Sequence, residues 1–145
     1  MVKKLNIREH FLQFTQDENI PVVQIDRDMD VPSDLHIVII GEHGKWDGIA
    51  VPFEEEKLFV FYVNMGLIVQ DGKREKIADW MMKKNFLYQY GGLYMDTQTG
   101  TAITRCSMLI YGSDEDKQEL IRKAVYTSAV IADQTYEELR GLLSV

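Results

Sequence analysis

The chain is poor in the residues on which most site chemistry depends. Cys106 is the single cysteine in 145 residues, so no internal disulfide and no cysteine-based zinc cage can form. There are three histidines, His10, His36 and His43, and no two share the i, i+4 spacing of a helical metal site. Basic residues are outnumbered, 16 Lys and Arg against 23 Asp and Glu, for a net charge of −7. That balance argues against nucleic acid, whose phosphates demand a basic patch. The longest basic cluster, Lys73-Arg74 with Lys76, is interrupted by Glu75. No apolar run approaches the roughly 18 residues that read as a membrane span, and the opening "MVKKLNIREHF" lacks the apolar stretch of a signal peptide. The expectation is a soluble protein of a reducing cytoplasm.

What is present is the composition of an ordinary globule, 46% hydrophobic and 27% charged. Its length favours one domain over residues 1–145. Helical periodicity covers about Asn6 to Gln16, with Ile7, Phe11 and Phe14 on one face and Asn6 as N-cap. A second helix is expected from about Gly72 to Tyr88, with a stripe of Ile77, Trp80, Met81, Leu87 and Tyr88. A third starts after Ser113, where Ser113 and Asp116 fit a capping box. The polar Asp133-Gln134-Thr135 is expected to break it in two.

Strands fill the gaps. "PVVQID" is short. "DLHIVIIGEHGKWDGIAVPF" reads as a hairpin turning at residues 42–45. "KLFVFYV" follows the Glu54-Glu55-Glu56 turn, and "GGLYMD" with "GTAITRCSMLIY" forms another pair. The fold class is α+β, a single-layer antiparallel sheet with helices in the order α-β-β-β(-β)-α-β-β-α. "HIVII" and "LFVFYV" are apolar at both parities, more than helices on one side can cover. His36 and Lys57 share parity with Val38, Ile40, Phe59 and Phe61, which assigns those four to the less covered face. Such a face meets a second subunit or a client peptide, or else the C-terminal helix wraps round to cover it. Tyr94 and Arg105 join it as candidate contact residues.

Patterns for chemistry fail in turn. Asp26-x-Asp28-x-Asp30 resembles the start of a calcium loop, but Val31 stands where the turn glycine belongs and Ile37 where the bidentate Glu belongs. Glu42, His43 and Asp47 read as a polar hairpin tip in preference to a metal site. Cys106 lies among alternating apolar residues and reads as core. Glu54-Glu55-Glu56 and Glu137-Glu138 read as solvated. No nucleophile elbow or phosphate-loop fingerprint occurs. In "GGLYMDTQTGTAITR" the glycine pair reads as a helix stop, and Asp96 with Gly100 as a bulged turn. No catalytic residue, cofactor or metal is expected.

The stretch "REKIADWMMKKNFLYQYGGLYMDTQTGTAITRCSML" resembles the YbjN-domain family at Asn85, Gly92, Asp96, Gly100 and Arg105. The family's usual second Asn in the preceding helix is replaced, since Lys83 and Lys84 precede Asn85. The element order is similar to that of type III secretion chaperones. The resemblance implies a non-enzymatic bacterial interaction module, chaperone-like or regulatory. It also implies a homodimer that binds client proteins. The alternative is a sensor with a small ligand between sheet and helices, lined by Trp46, Trp80 or Tyr94. Core packing is the competing account of both tryptophans.

Overall fold

A computed structural model describes residues 4–25 and 34–145. Asp26, Asp28 and Asp30, the start of the calcium-like pattern, lie outside the described residues. The elements run α1 (Ile7–Asp17), β1 (Val22–Ile25), β2 (Asp34–Ile40), β3 (Lys45–Phe53) and β4 (Leu58–Ile68). A short 3-10 turn (Asp71–Lys73) then leads into α2 (Arg74–Asn85), β5 (Gly92–Met95), β6 (Thr101–Leu109) and α3 (Asp114–Leu143). All six strands join one sheet in the order β1-β2-β3-β4-β6-β5, each pair antiparallel. This is the expected α+β architecture.

Local chemistry explains most boundaries. Asn6 and Glu9 form a reciprocal capping box on α1, and Ser113 with Asp116 does the same for α3. Glu54 is not merely solvated. Its two carboxylate oxygens accept from the Ile7 and Arg8 backbone N–H groups at 2.8 and 3.0 Å, a second anchor for the positive end of α1. The expected break in α3 does not occur. Thr135 satisfies its hydroxyl within the helix by donating to the Ile131 carbonyl at 2.6 Å, and Asp133 finds its donors outside the helix. The second helix is shorter than expected, so Leu87 and Tyr88 fall beyond it. Gly91, with φ +70, stands just before β5 and well past the end of α2, so it does not cap that helix.

The helices pack on one face of the sheet. A single core cluster joins Phe11 of α1, Ile77 of α2 and Ile121 of α3 to Leu35, Ala50, Phe61 and Cys106. Those four sheet residues stand side by side across β2, β3, β4 and β6. Gly48 sits beside this row because a Cβ there would lie 2.3 Å from the Phe61 ring.

The parity assignment needs one correction. Phe59 and Phe61 are both 0% exposed and belong to the helix-covered face. Lys57, whose polarity suggested otherwise, is a turn residue with φ +54 and lies outside the strand. In β4 the opposite face carries Tyr62 and Asn64.

Candidate functional site

The face turned away from the helices is built from alternate residues of every strand. Register places His36, Val38 and Ile40 of β2 beside Lys45, Asp47 and Ile49 of β3. Next come Val51 and Phe53 beside Leu58, Val60 and Tyr62 of β4, then Ile103, Arg105 and Leu109 of β6. Tyr94 of β5 completes the row beside Ile103. Ile40 is 77% exposed and Leu109 61%, while Val38, Phe53 and Tyr94 are each at least 40% exposed. Val60 is fully buried, yet it lies outside the helix-side core and is enclosed on this second face. Of the six candidate contact residues, Val38, Ile40, Tyr94 and Arg105 share this face, and Phe59 and Phe61 do not.

Arg105 sits on this face in β6, one strand in from the β5 edge. Its strand partners are Tyr62 on one side and Gly92 on the other. The guanidinium lies 5.6 Å from the Tyr62 ring centroid, a cation–π contact. Its Nε is buried without a hydrogen-bond partner, and it makes no ion pair with the described residues. β6 is an interior strand, so Arg105 is not an edge guard. The nearest carboxylate by register is Asp47, one strand beyond Tyr62, held by His36 Nε2 at 3.4 Å.

The helix side carries a different arrangement, which the sequence conceals. Asp133 of α3 reaches the β2–β3 turn and accepts from His43 N at 2.9 Å, Trp46 Nε1 at 2.9 Å, His43 Nδ1 at 3.1 Å and Glu42 N at 3.2 Å. Burial pushes its pKa up, but the hydrogen bonds from His43 and Trp46 outweigh this and leave it below the usual carboxylate value. Gly41 lacks a Cβ where one would lie 2.5 Å from the Asp133 carboxylate. Glu42, His43 and Asp133 bring ligand-type atoms within 4.8 Å of one another. Both Asp133 oxygens are already engaged by protein donors, so the cluster works as a clamp on the turn. Asp47 is not part of it.

Glu138 is likewise engaged, accepting from Trp80 Nε1 at 3.0 Å and pairing with Lys84 at 2.8 Å. Those contacts, Lys84 first, hold its pKa down. Trp46 is buried, its ring edge against Tyr136 at 5.1 Å. With Trp46 tied to Asp133, Trp80 tied to Glu138 and Tyr94 on the other face, these three do not line a common ligand space.

A groove of about 660 Å³ runs between α3 and the α2–β5 connection, lined by Leu87, Tyr88, Tyr90, Tyr126 and Val130 among others. Lys123 Nζ stands 3.8 Å above the Tyr90 ring at its rim. Phe86, 90% exposed, and Met82 extend apolar surface beside it. The loose periodicity after Asn85 gave no hint of this surface.

No family model matches the chain, and no curated protein matches it in sequence. Among solved structures it is similar to the crystal structure of YbjN from E. coli, a candidate transcription regulator. The TM-score is 0.65 at 10% identity, over 93% of this chain and 94% of that one. The fold is YbjN-like. Within it, Asn85, Gly92 and Gly100 have structural duties. The Asn85 amide bridges α2 to the backbone of Leu93 in β5. A Cβ on Gly92 would crowd that amide at 3.0 Å. Gly100, with φ +78, lies against the Val69 carbonyl where a Cβ would come to 2.3 Å. Among the described residues, no helix is long and apolar enough to cross a membrane.

Proposed function

We propose that this protein is a non-enzymatic interaction module, chaperone-like or regulatory, that works as a homodimer in the bacterial cytoplasm and binds partner proteins. The carrying observation is the apolar sheet face that the helices leave uncovered, with Val38, Ile40, Phe53, Tyr94 and Leu109 exposed on it. Contiguous apolar surface of this kind on a monomer is the usual mark of a protein contact. The groove beside α3, with Phe86 and Met82 at its edge, offers a second apolar surface for a client segment. The E. coli structure of this fold is described as that of a candidate transcription regulator, in keeping with a regulatory role.

Light scattering on the purified chain, combined with capture of partners from bacterial lysate, tests the reading. A dimer that loses mass on Val38→Asp supports it. A monomer at all accessible concentrations that captures no partner overturns it.

A further inference from the structure

Arg105 poses a physical problem for whatever covers the open sheet face. A cation with a buried, unpartnered Nε is tolerable while water reaches the rest of the guanidinium. Once the face is covered, an unpaired charge there becomes strongly unfavourable. The covering surface must therefore bring a carboxylate over β6.

We infer that the covering surface is the same face of a second copy, and that Arg105 of each copy pairs with Asp47 of the other. This rests on the reading of the open face as a dimer surface. The face is complementary to itself. Arg105 and Asp47 lie on β6 and β3, the two neighbours of β4. They are thus about 10 Å apart across the sheet, two strand spacings. A two-fold axis running along β4 lays β6 of one copy over β3 of the other. Each Arg105 then faces β3 at the level of Ile49, since Ile49, Tyr62 and Arg105 are in register. Asp47 is two residues further along, about 7 Å, within reach of an arginine side chain. Both pairs form in the same step, as a two-fold interface requires. An axis running across the strands would set β6 on β6 and cation on cation.

Asp47 can take part. Its side chain is 67% exposed, and its present contact is His36 at the edge of hydrogen-bonding distance. A second copy supplies its carboxylate together with its own arginine, so each charge brought to the interface is matched by one of opposite sign. The apolar surroundings fit as well. Tyr62 of β4 lies between the two charged strands and would meet its own counterpart about 10 Å away, the spacing of stacked sheets, while Ile49 of each copy would lie against the Arg105 stem of the other. About this axis the five strands from β2 to β5 overlap and present about 500 Å² in flat projection, the scale of a weaker, concentration-dependent pair.

Charge reversal tests this on the full chain by sedimentation or light scattering. Arg105→Asp and Asp47→Arg should each weaken the dimer by about tenfold or more. The double variant should recover affinity to within a few-fold of the parent, because it restores both pairs with the charges exchanged. Rescue cannot arise inside one copy, where Tyr62 separates the two positions. Should Arg105→Asp fail to fold, Arg105→Gln keeps the stem on the Tyr62 ring and should show the same weakening. A dimer indifferent to both single reversals, with unchanged melting, overturns the pairing and leaves a dimer formed elsewhere. A double variant no better than its weaker parent also overturns it. A parent chain that stays monomeric overturns the dimer reading itself.

Discussion

Asn85 holds both backbone groups of Leu93. Its Nδ2 donates to the Leu93 carbonyl at 2.8 Å, and its Oδ1 accepts from the Leu93 N–H at 2.7 Å. β5 is an edge strand, and this side chain occupies hydrogen-bonding positions that would otherwise be offered to another chain. Asn85→Ala should lower stability by about 2 kcal/mol, from two part-buried hydrogen bonds left unmade. Hydrogen exchange at the Leu93 amide should accelerate with it. An unchanged exchange rate would show that the strand is held by β6 alone.

Asp133 should make stability pH-dependent in acid. Its folded pKa lies below the ordinary value of 3.8, so its contribution is fully present above that value. It is lost as pH falls through the folded pKa, when the protonated carboxyl no longer accepts as a charged group. Asp133→Asn should remove that part of the acid dependence and cost about 2 kcal/mol at neutral pH. Denaturant melts of both proteins from pH 2 to pH 7 check it. Parallel curves throughout would assign the acid sensitivity to other carboxylates, such as Glu138.

Gly48→Ala should destabilise by about 1–3 kcal/mol, the usual result of overpacking. The added methyl would lie 2.3 Å from a ring that is itself fully buried. Urea unfolding gives the value. Pairing it with Phe61→Leu should recover part of the loss if the clash is the cause.

Cys106 should be inert in the folded protein. Burial pushes its thiol up to about 11, with Lys123 opposing, and its side chain is enclosed in the core. A thiol reagent should label it only after denaturant is added. Rapid labelling of the native chain would mean that α3 opens from the sheet.

The sequence makes the order of elements legible because it is carried by local signals. Capping residues, turn glycines and apolar runs each act within a few positions, and Asn6, Ser113 and Gly100 behave as such residues do. The face assignment in β4 was not legible, since Phe59, Val60 and Phe61 are all buried and a polar turn residue, Lys57, pointed the wrong way. The Asp133 clamp was hidden for another reason. Asp133 and His43 are far apart in the chain, and a lone polar residue in a helix gives no sign of a partner on a distant hairpin. Of the proposed contact surface, Val38, Ile40, Tyr94 and Arg105 could be placed from alternation, and Asp47 only from register.

The strand order has a consequence for how the chain assembles. β5 leaves the ribosome before β6, yet β6 lies between β5 and the rest of the sheet. Until Thr101–Leu109 emerges, β5 has no strand to pair with. Asn85, already synthesised, is the contact that can hold it in the meantime. β1 to β4 can meanwhile zip together as successive hairpins, each closing a short loop. Translation would thus produce a four-stranded intermediate with β4 as its bare edge, and the arrival of β6 would close that edge and recruit β5 together.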